Sequence, residues 1–316
     1  MNNMEYSIVT CTYNASAFLV EYFNVINKIN YVDFEVVIVD DASTDNTFEL
    51  VLEKAKLSEN KIKAFQHRDN LGPGAARNTA LKNVSGKRIV FLDVDDELDS
   101  NLFRILDNYN GYDIIYYDYN KKYSEKNLKR CASLLLPEGE IDDIVRVMST
   151  TTGSVWGKVF NYELIKKYSI RFPEMYKSED LVFLLTYLSR CQNAYYLSIP
   201  LYNYTITATS LVHRNIESQV ECAKMAIEMI NNLPISSSVK DLYFCREIVY
   251  DLTNIYLTLN RSKRYLYKFW EDNPIPQSLK TIKNSLRKSQ YYTLLMIRHR
   301  NYYLLKYMIK IKNIVN

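Results

Sequence analysis

From residue 5 to residue 110 the chain alternates short apolar runs with segments of helical period, and this constrains the fold more than any other feature. Tyr6–Cys11, Phe34–Val39, Ile62–Phe65 and Lys87–Leu92 read as strands. Ala17–Ile29 has apolar residues at helical spacing, Ser43 or Thr44 can cap a helix through about Leu57, and Pro73 opens another through about Val84. Phe34–Val39 is almost wholly apolar, as expected of a strand covered on both faces. Strands that alternate with helices predict a parallel, doubly wound sheet. The fold class is therefore α/β, a Rossmann-like and mostly parallel sheet flanked by helices.

Beyond residue 110 the pattern loosens. Tyr112–Asp118 and Ala194–Ile199 read as strands, residues 120–139 as a polar loop or hairpin, and Ser178 as the cap of a helix through about Arg190. From Ile216 the pattern is helical, broken at Pro274 and Pro276. This divides the chain into a sheet-bearing domain, 1–215, and a C-terminal helical region, 216–316.

The sharpest chemical feature is Asp93-Val94-Asp95-Asp96, three carboxylates directly after the apolar run Arg88–Leu92. Open parallel sheets bind ligands beyond the carboxyl ends of their strands. Asp93 and Asp95 are two residues apart, so an extended chain projects them to one side. Carboxylates so crowded repel one another unless a cation sits between them. A hard divalent ion, Mg²⁺ or Mn²⁺, is the natural partner and can bridge to a diphosphate. The alternative is an acidic turn without a ligand.

Asp40–Asp45 follows the second strand at the same edge. Ser43, Thr44 and Asp45 suit helix capping, which leaves Asp41 to accept from a base N–H or a ribose hydroxyl. Gly72 and Gly74, two of only seven glycines, open a helix whose N–H groups can favour a phosphate, or allow close packing. Arg77, one turn later, can pair with a diphosphate or with an acid of the Asp93 cluster. Glu179 and Asp180 lie in the first turn of the helix after Ser178. There they either complement the helix field or supply a general base. Trp156 offers an aromatic face to a sugar ring or packs inside. His213, beside Arg214, either contacts a metal or diphosphate or lies on the surface. His67 and His299 read as structural.

Taken in order, these segments resemble family 2 glycosyltransferases of the GT-A fold over roughly residues 5–215. Ile8–Asn14 resembles that family's opening strand, and Val37–Asp45 its second-strand signature. Asn70–Asn78 is similar to its glycine-rich segment, Phe91–Asp96 to its DxD motif, Ser178–Asp180 to its catalytic Glu-Asp, and Trp156-Gly-Lys158 to a Trp-x-Lys upstream of it. The resemblance implies a donor site formed by Cys11, Tyr13, Asp41, Gly74, Arg77, Asp93, Val94 and Asp95. Tyr13 and Asp41 would lie at the base, Arg77 near the base or diphosphate, and Asp93 at the ribose. Cys11 stands where the family commonly has Pro or Thr. Asp95, with His213, would hold Mn²⁺ or Mg²⁺. Asp180, next to Glu179, would be the base, and Trp156 and Lys158 would meet the acceptor. The implied reaction is inverting sugar transfer from a nucleotide-sugar, of which UDP-sugars are the commonest, to a glycan or lipid-linked glycan of capsule or surface polysaccharide assembly.

Rival readings fit less well. A haloacid-dehalogenase-type phosphatase wants Thr or Val two residues after its second Asp, where Glu97 stands here. A nucleotidyltransferase needs a basic, glycine-rich loop after its first strand, and Thr12–Ser16 has no basic residue. A degenerate, non-catalytic binding domain has no need to retain Asp93, Asp95 and Asp180.

The net charge of +4 hides an uneven distribution. Nine Lys and Arg and no acid lie between Lys280 and Asn316, which leaves −5 on the first 279 residues. Residues 290–312 interleave apolar and basic side chains. They form either an interfacial helix drawn to anionic lipid or a helix packed on the body or on a second copy, making a homodimer. Nucleic acid is not an expected partner. Five scattered cysteines, no basic n-region and no apolar run near the ~18 residues of a membrane span point to a reduced, cytoplasmic protein. Through 280–316 it could lie peripherally on the inner face of the plasma membrane.

Overall fold

A computed structural model describes residues 4–124, 127–206 and 216–245, with the isolated positions 271, 292, 294 and 295. The chain divides into two compact units, Met1–Ser210 and Leu211–Asn316.

The first unit begins β1 (Tyr6–Thr12), α1 (Leu19–Lys28), β2 (Phe34–Asp40), α2 (Thr47–Leu57), β3 (Lys61–Gln66), α3 (Pro73–Asn83) and β4 (Arg88–Phe91). It continues β5 (Glu97–Leu98), α4 (Leu102–Leu106), β6 (Ile114–Ser124), β7 (Asn127–Cys131), β8 (Gly139–Ile141), α5 (Ile144–Thr150), β9 (Lys158–Asn161), α6 (Tyr162–Lys167), α7 (Glu179–Leu188) and β10 (Ala194–Thr205). The main path of the sheet runs β3-β2-β1-β4-β9-β6-β10-β5.

The first four strands of this path are parallel, as the alternation predicts. Every residue of β2 is buried, which explains why it is apolar apart from Glu35 and Asp40. The edge strand β3 is less covered and carries Lys61 and Lys63, which discourage pairing with another chain. Beyond β4 the sheet is mixed, since β9 runs antiparallel to both β4 and β6. One face packs Tyr6, Tyr22, Phe34 and Phe103 into the main core. Phe91, Phe160, Phe172 and Phe183 form a second aromatic cluster, with the Phe172 and Phe183 rings stacked at 3.9 Å.

Strand order turns at β1, flanked by β2 on one side and β4 on the other. The C-terminal ends of β1, β2 and β4 therefore meet at a topological switch point, where ligand crevices form. Residues 120–139 contain the β6–β7 hairpin. β10 is twice as long as expected from sequence and pairs with β6 across irregularities around Pro200, where a strand can tolerate proline.

The helix caps differ from expectation. Asn46, not Ser43 or Thr44, stands at the start of α2 and makes no side-chain cap bond. The Asp45 carboxylate accepts from the Thr47 N–H instead. Ser178 precedes α7 in a left-handed conformation, φ 66°, and also makes no side-chain cap.

In the second unit, α8 (Ile216–Asn231) and α9 (Ser237–Tyr243) are helical, as read from the sequence. Cys222, Ala226, Ile230, Val239 and Leu242 are buried. Apart from isolated positions, the 280–316 tail lies outside the described residues, and so does His213. All five cysteines are free. Among the described residues no helix is long and apolar enough to cross a membrane.

Candidate active site

The turn after β2 is saturated with hydrogen bonds. Asp40 accepts from the Thr12 hydroxyl at 2.9 Å, the Ser43 N–H at 3.0 Å and the Gln66 amide at 3.1 Å. Asp41 is 4% exposed and accepts from the N–H groups of Leu71 and Gly72 at 3.0 and 2.7 Å. His67 Nδ1 lies 2.7 Å from the same carboxylate, and its Nε2 meets the Thr79 hydroxyl at 2.8 Å. Asp41 is thus not the spare carboxylate that its sequence position suggests. It anchors the glycine loop, where Gly72 has φ 91°. His67 is structural, as expected.

At Gly74 the close-packing alternative is present. A Cβ there would meet the Pro173 carbonyl oxygen at 2.6 Å, so this glycine lets α3 approach residues 172–179. One turn on, Asn78 donates to the Phe172 carbonyl at 2.8 Å and accepts from the Phe172 N–H at 2.9 Å.

Between these contacts stands Arg77, buried, with three carboxylates around it. Its guanidinium lies 2.8 Å from Asp180, 3.1 Å from Glu179 and 3.6 Å from Asp93. It also covers the Phe172 ring, 5.4 Å from the centroid. Of the two pairings the sequence left open for Arg77, the acid pairing is present. It joins segments 103 residues apart. Burial first, then the neighbouring Glu179 and Asp93, push the Asp180 carboxyl up to about 7 against the opposing pull of Arg77. The Asp180 side chain remains 22% exposed, and its second oxygen faces the Val155 N–H at 3.4 Å.

The turn after β4 divides its three acids. Asp96 is buried and accepts from the Tyr202 hydroxyl at 2.6 Å and the Thr205 N–H at 2.7 Å, tying β10 to the turn. Asp93 keeps 41% of its side chain exposed. Asp95 has no cationic partner among the described residues, and burial with the nearby Asp93 raises its carboxyl above the ordinary range. Val94 and Asp95 line a cavity of about 280 Å³ with Phe18, Glu21, Lys122 and Thr205. Among the described residues no three His, Cys, Asp or Glu side chains converge as a metal cage. The donor set at Asp95 nevertheless fits a hard divalent ion, which takes one or two carboxylates and completes its shell with water and substrate phosphates.

Lys158 and Trp156 both make contacts within the protein. Lys158 is 1% exposed, and its ammonium donates to the carbonyls of Ser154 at 2.7 Å and Trp156 at 3.2 Å. Trp156 stacks on Tyr202 and Tyr204 with centroids 5.1 and 5.2 Å away. Cys11 lies near Arg77 and Asp93, and burial pushes its thiol up to about 12, so it stays neutral. Tyr13 is 43% exposed at the end of β1. Sequence reasoning missed the bracing role of Asp96 and that of Asn14, which accepts from the Thr44 N–H at 2.8 Å. Nothing local marks either, because each partner is distant in the chain.

Residues 7–168 match the model of the family described as Glycosyl transferase family 2. The chain is 27% identical over 286 residues to the poly(ribitol-phosphate) beta-N-acetylglucosaminyltransferase TarS of Staphylococcus aureus strain MW2, covering 86% of this chain and 48% of that protein. It thus spans about half the length of this relative. It is 35% identical over 125 residues to the UDP-Glc:alpha-D-GlcNAc-diphosphoundecaprenol beta-1,3-glucosyltransferase WfgD of Escherichia coli, covering 36% of this chain and 48% of that one. The crystal structure of S. aureus TarS 1–349 in complex with UDP-GlcNAc shares the fold, with TM-score 0.70 and 22% identity over 96% of this chain and 90% of that chain.

Proposed function

The chain belongs to glycosyl transferase family 2, and from that membership we propose an inverting, metal-dependent transfer from a UDP-sugar to a glycan hydroxyl. The observation that carries this reading is Arg77, whose one guanidinium holds Asp180 at 2.8 Å and Asp93 of the DxD turn at 3.6 Å. A prospective base and a prospective donor site thereby share one anchor.

Asp180 takes the proton of the acceptor hydroxyl as that oxygen attacks the anomeric carbon. The new C–O bond forms on the face opposite the breaking bond to the nucleoside diphosphate, which inverts the centre. Mn²⁺ or Mg²⁺ held at Asp95 would neutralise charge on the departing diphosphate. Tyr13, exposed at the end of β1, receives the base, and Asp93 the ribose. Asp41 acts indirectly, by shaping the Leu71–Gly72 loop.

UDP-GlcNAc is the first donor to try, because the solved TarS complex contains it. The diphosphoundecaprenol in the WfgD name supports a lipid-linked acceptor in surface polysaccharide assembly. Residues 280–316 would bring the protein to the anionic lipid that bears it. Loss of membrane partitioning on their deletion would support this, and unchanged partitioning would refute it.

The test is hydrolysis of UDP-GlcNAc with Mn²⁺. Asp180→Asn should cut turnover at least about 100-fold, the usual worth of a general base, while donor affinity stays within about threefold. Normal turnover in this variant would sink the assignment. Because the Asp180 carboxyl is raised to about 7 and must be ionised to act, the wild-type rate should fall as pH drops below 7. The expected slope is about tenfold per unit.

A further inference from the structure

The turn Ser154–Lys158 touches both halves of the candidate site. Its Val155 N–H faces Asp180 at 3.4 Å. Its Trp156 stacks on Tyr202, whose hydroxyl donates to Asp96 beside the DxD pair. Gly157 takes φ 72°, the left-handed conformation that bends the chain back toward β9. The first residue of β9, Lys158, folds its side chain beneath this bend. Its ammonium donates to the two carbonyls that flank Val155, those of Ser154 and Trp156, and lies over the Tyr116 ring at 5.2 Å. A buried lysine is expensive unless its donors are satisfied. Here they are satisfied by the backbone of the turn itself.

We infer that Lys158 is a positioning residue for the general base: by pinning the carbonyls on either side of Val155, its side chain aims the Val155 N–H at Asp180. The inference rests on the reading of Asp180 as base. The charged and titratable groups facing Asp180 are Arg77 from α3, Glu179 on α7 itself, Asp93 from the DxD turn, Cys11 from β1 and Lys158 from β9. The Val155 N–H favours the ionised carboxylate, and so does Lys158 while protonated; burial lowers its ammonium to about 7, so this charge acts at the acidic end of the range and fades above it. Loss of either moves Asp180 toward its protonated form. Removing the lysine should therefore slow the reaction most where the base is already short of ionisation, at low pH.

The experiment compares the full-length protein with Lys158→Met, which keeps length without donors, and Lys158→Gln, which keeps a shorter donor. UDP-GlcNAc hydrolysis with Mn²⁺ is followed from about pH 5.5 to about pH 8.5. In Lys158→Met the acidic limb of the rate profile should move up by about half a unit or more. Its deficit should be about tenfold near pH 6, shrink to threefold or less near pH 8.5, and leave KM for UDP-GlcNAc within about twofold. Lys158→Gln should shift in the same direction by less. A deficit equal at every pH, a wild-type profile, or failure of both variants to fold would overturn the inference and leave a purely structural lysine. Asp180→Asn run alongside separates the two claims. If that variant keeps wild-type hydrolysis, the base assignment fails. If it is inactive while the Lys158→Met limb stays in place, only the role of Lys158 fails.

Discussion

The turns after β2 and β4 begin from the same material, adjacent aspartates at the C-terminal edge of a buried strand, and use it in opposite ways. Asp40 and Asp41 spend their lone pairs on the protein: side chains on β1 and β3, the start of α3 and the loop before it. The turn after β4 commits only Asp96, to Tyr202 and Thr205, and leaves Asp93 partly open and Asp95 without a cation among the described residues. An acidic strand end is therefore not in itself a binding site. What decides is whether neighbouring backbone N–H groups already consume the charge.

This contrast can be broken by substitution. The largest effect is expected at Asp95, where Asp95→Ala should lower Mn²⁺-dependent hydrolysis at least about 100-fold, since a catalytic metal contributes several kcal/mol. Its melting temperature should stay within about 2 °C, because the carboxylate holds no other segment of the chain and bonds only its own backbone N–H. Near-normal turnover would place the metal elsewhere. Asp41→Ala should do the reverse and cost about 2–4 kcal/mol in urea unfolding, since it strands two backbone N–H groups and a histidine. A fully stable variant with lost donor binding would restore Asp41 as a donor contact. The smallest effect is expected at Asp96, where Asp96→Asn keeps the shape and can still accept from the Thr205 N–H while meeting the Tyr202 hydroxyl. A stability change under about 1 kcal/mol is expected. A loss of metal dependence there would blur the division between the turns.

The parallel half of the sheet was legible because its buried strands β1, β2 and β4 are largely apolar and the helices between them carry their own period. The boundaries of β1, β2 and α3 fall within a residue or two of expectation. The meeting of Arg77 with the Asp93 cluster was among the pairings open from sequence, and Glu179 and Asp180 join it. Other readings were redirected for a common reason. Ser43 and Ser178 look like caps, Gly74 suits either a phosphate or close packing, and Lys158 by resemblance meets the acceptor. Each was judged on its own residue type, while its role was set by the groups that the fold places around it. Ser43 hydrogen-bonds to Asp40 and Asn14, Gly74 meets Pro173, and Lys158 is enclosed by its own turn. β10 outran its apolar core because β6 offered it a parallel neighbour through Thr205.

The pair of hydrogen bonds between Asn78 and Phe172 has a consequence for turnover. A side-chain amide gives this segment the donor and acceptor that an adjoining strand would, so the approach to α7 is grafted onto α3. Arg77, on α3, and Asp180, in the first turn of α7, are thereby held together as the two helices are joined. The conformational entropy of ordering the base is lost once, when the chain folds, instead of at each encounter with substrate.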